Sequence, residues 1–153
     1  MIKYLVMDVD GTLTDGKIYM SASGEIMKAF NIKDGYGIHN MLIPAGITPV
    51  IITGRKSDIV TNRAKELGIA MVHQGVSDKA GKLKEVAEDL STVAFIGDDL
   101  NDMPCIELVK GAGGLNGCPF DAVKEVKENV DFVSEYKGGE GAVRDFIEWL
   151  IRQ

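Results

Sequence analysis

A three-layer α/β/α fold around a parallel sheet is what this sequence predicts, on three observations. Short apolar, β-prone runs recur along the chain, amphipathic helical stretches lie between them, and several runs stop abruptly at acidic or small residues and glycine. Alternation of this kind means parallel strands with helices on both faces. With 153 residues the chain falls in the size range of one domain, so residues 1–153 are expected to form a single core.

The elements come in order along the chain. Ile2-Lys3-Tyr4-Leu5-Val6-Met7 is short and β-prone, as a buried parallel strand should be. Lys17 to Met20 and Glu25 to Phe30 alternate around Ser21-Ala22-Ser23-Gly24, which predicts a β-hairpin standing beside the first strand as a small flap over residues 17–30. Ile38, Met41, Leu42 and Ala45 recur at helical spacing before the stop at Gly46, with Asp34 as a candidate cap. The pattern then becomes regular: strand Thr48 to Ile52, helix Ser57 to Leu67 with Ile59, Val60, Ala64 and Leu67 on one face, strand Ala70 to His73. A helix from Lys79 to Leu90 turns Leu83, Val86, Ala87 and Leu90 inward, ahead of strand Val93 to Ile96. Pro104 sits in the first turn of a helix from Met103 to Val109, where its missing N–H costs nothing. The glycine-rich stretch Gly111 to Gly117 lacks both the strand-first placement of a dinucleotide fingerprint and the lysine of a P-loop, and reads as a short buried strand and turn. The tail holds a helix from Asp121 to Glu128, an edge strand from Val130 to Val133 and a final helix from Gly141 to Gln153 with Val143, Phe146, Ile147 and Leu150 inward.

Chemistry concentrates where strands end. Asp8 and Asp10 stand two residues apart where the first strand runs into Gly11, at the strand end where open α/β sheets place ligands. One carboxylate there can attack phosphorus while the other handles the proton on the leaving oxygen. The strand Thr48 to Ile52 ends in Thr53-Gly54-Arg55, a hydroxyl and a free amide suited to phosphate. Another ends in Gly97-Asp98-Asp99-Leu100-Asn101-Asp102, acids that suit a hard cation such as Mg²⁺ and equally suit a helix N-cap. Lys79 opens a helix and can neutralise phosphate charge, although spacing alone does not choose it over Lys82 or Lys84. Asp15 reads as the turn residue that opens the hairpin, ahead of the alternative of a substrate contact.

Composition narrows the partners. A formal net charge of −6 argues against a general affinity for nucleic acid or anionic membrane. No apolar run reaches the roughly 20 residues of a membrane span, and Met1-Ile2-Lys3 leads into the first strand with no signal peptide, so the cytoplasm is the expected address. Cys105, Cys118, His39 and His73 are isolated, without metal-ligand spacing, and read as packing and hydrogen-bonded structural residues.

The order D-x-D-x-T at Asp8 to Thr12, Thr53 after a later strand, Lys79, and the acids from Asp98 to Asp102 resembles the signature of the haloacid dehalogenase superfamily of phosphotransferases. The resemblance implies a Rossmann-like core with Asp8 as the nucleophile that forms an aspartyl-phosphate and Asp10 as the general acid/base. It implies Mg²⁺ on Asp8, the Asp10 carbonyl and Asp98, and phosphoryl oxygens on Thr53, the Gly54 amide and Lys79. Asp99 and Asp102 would support metal and lysine from behind. Larger members insert a cap domain, and neither interval here has room for one.

Asp8 to Gly11, Gly24-Glu25, Lys28 to Asn31, Asp34 to Ile38, Ile51 to Lys56, Gly97 to Asp102 and Gly138 to Arg144 are similar to the capless 3-deoxy-D-manno-octulosonate 8-phosphate phosphatases, over essentially the whole chain. That resemblance implies a sugar-acid phosphate substrate met by Arg55 and Asp34. It also implies a homotetramer whose hairpins gather at its centre while a neighbour's C-terminal segment covers the open site. The stretch Gly138 to Gly141 is flexible enough to lie close to a neighbour's substrate. Lys33 and Glu140 stand where the group often carries arginine, which leaves fewer guanidiniums to grip a sugar carboxylate. Relatives acting on nine-carbon keto-sugar acid 9-phosphates resemble the chain nearly as well; in that branch an acid tends to follow Thr-Gly, whereas Arg55 follows here and suits the eight-carbon branch. A non-catalytic oligomerisation module is a third reading, but such a module need not keep Asp8, Asp10, Thr53, Lys79 and Asp98 together.

Overall fold

Leu5, Val6 and Met7 are all fully buried because β1 (Tyr4–Met7) is covered on both faces of its sheet. The structure, a computed structural model, describes residues 1–153. Beyond β1 the strands are β2 (Tyr19–Ser21), β3 (Gly24–Met27), β4 (Thr48–Ile52), β5 (Met71–His73), β6 (Val93–Ile96), β7 (Leu115–Cys118) and β8 (Phe132–Val133). The helices are α1 (Ile32–Tyr36), α2 (Asp58–Leu67), α3 (Lys79–Val86), α4 (Met103–Ala112), α5 (Lys124–Lys127) and α6 (Ala142–Leu150). Six strands form one parallel sheet in the order β5-β4-β1-β6-β7-β8, and β2 pairs only with β3 in a separate antiparallel hairpin.

Strand alternation sorts the core into two layers. Leu5, Met7, Ile51 and Ile96 point to the face covered by α2 and α6 and by the π-helical turn Gly37–Leu42 that continues α1. Val6, Val50, Ile52, Val93 and Phe95 point to the other, against α3, α4 and α5. At the far edge Phe132, Phe146 and Trp149 stack with centroids 5.2 to 5.7 Å apart and bind β8 to α6. Gly117 makes room for this, since a Cβ there would stand 2.6 Å from the Phe146 ring. No helix is long and apolar enough to cross a membrane.

The topology fixes where a ligand can bind. The chain winds from β1 to β4 and β5 on one side, then returns past β1 to β6, β7 and β8 on the other. The order therefore reverses at β1, and the crevice beyond the ends of β4, β1 and β6 is the switch point that open sheets use for ligands.

Several boundaries differ from the sequence-based expectation, each for a local reason. Asp34 does not cap the first helix: Asn31 does, accepting from the Lys33 amide at 2.9 Å, and Asp34 lies inside α1 facing α6. The helix from Lys79 ends at Val86 and not at Leu90, because Ala87 is extended and Asp89 starts a separate 3₁₀ turn by accepting from the Ser91 amide and hydroxyl. α4 runs past Val109 to Ala112, where Gly113 at φ 87 supplies the left-handed stop. The helix expected from Asp121 shrinks to Lys124–Lys127, because the Asp121 carboxylate accepts from the Gly138 amide and the Val123 amide donates to the Asp98 carbonyl.

Candidate active site

Asp8 emerges at the end of β1 with its amide donating to the Ile96 carbonyl at 3.1 Å, so its position is set by the sheet itself. The chain then turns sharply: the Val9 carbonyl accepts from the amides of Thr12, Leu13 and Thr14, and Thr14 Oγ1 accepts from those of Gly11 and Gly16. Gly11 sits at φ 87, and a Cβ there would come within 2.0 Å of Asp98 Oδ2. The glycine therefore lets the first loop touch the acid at the end of β6.

Lys79 Nζ lies 2.9 Å from Asp8 Oδ1 and 2.8 Å from Asp102 Oδ1. The three-way choice among lysines is resolved by reach: Lys82 pairs with Glu85 on the exposed side of α3, Lys84 is exposed, and Lys79 alone turns inward. Asp78 caps α3 through the Gly81 amide at 2.9 Å and so fixes where Lys79 begins. Asp102 is fully buried; its Oδ2 accepts from the amides of Asp98 at 3.0 Å and Asp99 at 3.3 Å, completing a capping box with Asp99. Thr12 Oγ1 donates to Asp98 Oδ1 at 3.2 Å.

Carboxylate oxygens of Asp8, Asp98 and Asp102 lie within 4.8 Å of one another, with one lysine to offset them. Burial, reinforced by Asp102 and opposed by Lys79, pushes the Asp8 carboxyl up to about 6. Burial and its hydrogen bond with Asp8 push Asp98 up to about 9. The same pair of acids that flanks it, Asp8 and Asp102, holds the Lys79 ammonium firmly protonated despite its burial. Crowded acids of this kind fit a hard divalent cation, whose charge reverses the shift. Asp102 belongs to the cluster by distance, but both its oxygens are occupied by Lys79 and by amides, which leaves Asp8 and Asp98 as carboxylate donors. The Asp10 carbonyl takes no backbone hydrogen bond and is free to be a third oxygen.

Asp8, Asp10, Thr53, Gly54, Arg55, Asp98, Asp99 and Asn101 line one cleft of about 190 Å³. Asp99 and Asp102 act there as helix-capping groups. Arg55 stands at the rim, 3.9 Å from Glu25 on the hairpin. Asp15 opens the hairpin by accepting from the Lys17 amide at 3.0 Å and the Tyr19 hydroxyl at 2.5 Å.

Asp34, expected at the substrate, is 2% exposed and is not among the residues that line the cleft; its Oδ1 accepts from the Arg144 amide at the start of α6. Burial outweighs the α6 amides and the Arg63 charge and pushes it up to about 6. Gly138 and Gly139 lie against this chain's own first loop, with the Gly139 amide on the Thr12 carbonyl at 3.3 Å. Cys105 and Cys118 are buried free thiols pushed up to about 12 by burial, and His39 bonds the Leu67 carbonyl. Lys28 and Glu25, quoted above only for the resemblance, had no assigned role: Lys28 Nζ lies 2.6 Å from Asp10 Oδ1 and 3.1 Å from Glu25.

No family model matches the chain. It is 42% identical to the 3-deoxy-D-manno-octulosonate 8-phosphate phosphatases of Salmonella typhi and of Escherichia coli strain K12, over 98% of its own length and 79% of theirs. Among solved structures it resembles that of the same enzyme from Moraxella catarrhalis in complex with magnesium, phosphate and KDO, at 37% identity and TM-score 0.91, covering 99% of this chain and 86% of that one. The cobalt-bound phosphatase of Haemophilus influenzae is similar at 36% identity and TM-score 0.89, over 99% and 88% of the two chains.

Proposed function

The chain belongs to the family of 3-deoxy-D-manno-octulosonate 8-phosphate phosphatases within the haloacid dehalogenase superfamily, and we propose from that premise that it is a Mg²⁺-dependent phosphomonoesterase releasing phosphate from the eight-carbon sugar acid. The observation that carries the reading is the convergence of Asp8, Asp10, Thr53 and Asp98 on one cleft with Lys79 held against Asp8.

The residues divide the work. Asp8 attacks phosphorus; the bond from phosphorus to the sugar oxygen breaks as the Asp8–phosphorus bond forms. Asp10 gives its proton to the departing oxygen, then takes one from the water that hydrolyses the aspartyl-phosphate. Thr53, the Gly54 amide and Lys79 hold the transferring phosphoryl oxygens, and Arg55 at the rim meets the sugar carboxylate. Asp102 acts through Lys79, whose ammonium it fixes at 2.8 Å, and Asp99 through the loop it caps. Mg²⁺, which Asp8, the Asp10 carbonyl and Asp98 would hold, would supply charge that offsets the repulsion between a carboxylate and an anionic ester.

The chain works as one core domain over residues 1–153, as a cytoplasmic homotetramer on the route to lipopolysaccharide. Ile18, Met20, Ile26 and Met27 on the hairpin are exposed, which supports assembly there. The test is phosphate release across a panel of sugar phosphates, with Mg²⁺ and with excess chelator. The reading expects Mg²⁺-dependent preference for the eight-carbon acid 8-phosphate. Preference for nine-carbon acid 9-phosphates would reassign the substrate, and full activity in chelator would overturn the metal role.

A further inference from the structure

Asp10 is held by a residue to which the strand ends gave no role. Lys28, one position past β3, reaches back from the hairpin and places Nζ 2.6 Å from Asp10 Oδ1 and 3.1 Å from Glu25. Its side chain is 1% exposed, against 24% for Asp10. An ammonium so far from water is tolerated only where opposite charge and hydrogen bonds replace the water. Asp10 and Glu25 supply both. The geometric consequence falls on Asp10: with Oδ1 engaged, rotation of the carboxylate is fixed, and Oδ2 is the oxygen left for the cleft.

The hairpin stands outside the main sheet. β2 and β3 pair only with each other, and the single bridge Thr14–Phe30 joins their base to the first loop. The contact from Lys28 to Asp10, with the looser pair between Arg55 and Glu25, therefore ties a separate element to the strand-end loops.

Building on the phosphomonoesterase reading, we propose that Lys28 is a positioning residue for the proton transfers: it holds Asp10 so that Oδ2 meets first the leaving oxygen and then the attacking water. Both transfers then depend on how the hairpin is seated. Asp8 attack is not touched directly, because the hydrogen bonds and ion pairs of Lys28 go to Asp10 and Glu25 and not to Asp8 or the residues assigned to the phosphoryl oxygens.

The effect is read from how rate depends on the leaving group. p-Nitrophenolate leaves without a proton, whereas phenolate benefits from one. Turnover of p-nitrophenyl phosphate and phenyl phosphate with Mg²⁺ is compared for wild type, Lys28→Met, Lys28→Arg, Asp10→Asn and the Asp10→Asn/Lys28→Met pair. Lys28→Met should slow phenyl phosphate at least about tenfold, a part of what general acid–base catalysis is worth. With p-nitrophenyl phosphate it should give a burst of nitrophenolate followed by slow turnover, as the phosphoenzyme forms normally and hydrolyses poorly. Lys28→Arg should recover most of the loss, and the double variant should be no worse than Asp10→Asn alone. Equal loss on both substrates without a burst, no loss at all, or a double variant well below Asp10→Asn would each overturn the assignment. A thermal melt accompanies every variant; Lys28→Gln, with the same expected burst, replaces Lys28→Met if the latter is unfolded at assay temperature. The aryl substrates keep this test apart from the substrate reading, which fails separately if wild type ignores the sugar-acid phosphate.

Discussion

Replacing Gly138 by alanine should disable the enzyme from outside its cleft. A Cβ at position 138 would stand 2.0 Å from the Gly11 carbonyl oxygen, 2.6 Å from its carbon and 2.9 Å from the Thr14 oxygen. All are backbone atoms of the loop that follows Asp10, so no side chain can swing aside. Ordinary contact begins at 3.4 Å, so tail or loop must retreat by about 1.4 Å. Gly138 does not require a left-handed backbone, which makes the perturbation purely steric. Overpacking of this kind costs about 1–3 kcal/mol, or a fall in Tm of roughly 2–12 °C for a chain of this size. Displacing a catalytic group by about 1 Å costs about 100-fold in rate, so kcat for p-nitrophenyl phosphate should drop by that order. The control is Gly111→Ala in α4, where nothing lies within 4 Å of the added atom and stability should hold or rise by about 0.5–1 kcal/mol. Wild-type turnover and melting in Gly138→Ala would refute the idea that the tail braces the catalytic loop.

Asp34 should make stability depend on pH. Its folded-state value of about 6 lies above the ordinary 3.8, so the folded protein holds a proton that the unfolded chain has released; the stabilisation is complete below about pH 4 and lost as pH rises through 6. The amount is on the order of 3 kcal/mol, and Asp34→Asn should flatten the Tm profile between pH 4 and 7 relative to wild type, an unchanged slope being the contrary result. Ile18→Asp should dissociate the proposed tetramer in light scattering and cut kcat/KM for the sugar-acid phosphate far more than for p-nitrophenyl phosphate. A monomer with undiminished preference would show that neighbours do not complete the site.

The sheet was legible because its strands are buried on both faces: a residue run such as Val50-Ile51-Ile52 has no solvent side to obey, and its end is marked by the first residue that needs a ligand. Asp8, Thr53 and Asp98 were readable for that reason. Spacing did not choose Lys79 over Lys82 or Lys84; the resemblance did, and in the fold its place at the head of α3 carries Nζ to Asp8. What sequence could not give is direction across long separations. Asp34 turns towards Arg144, more than a hundred positions later, because α1 packs on α6, and no local pattern encodes that pairing. Lys28 depends in the same way on how the hairpin folds back over the first loop. Helix ends failed where an acid had a competing local bond, as Asp89 does with Ser91, since a side-chain acceptor and a further helical turn are close in free energy.

The central claim is that Asp8 carries the phosphoryl group, and chemical trapping tests it most directly. Asp10→Asn enzyme, in which hydrolysis of the intermediate is slowed, is mixed with substrate and Mg²⁺, quenched and reduced with borohydride, which converts an aspartyl-phosphate to homoserine. Peptide mass spectrometry should find homoserine at position 8 and at no other acid, and Asp8→Asn should give none. Homoserine at another carboxylate, or steady turnover with no trapped residue in any variant, would contradict the account.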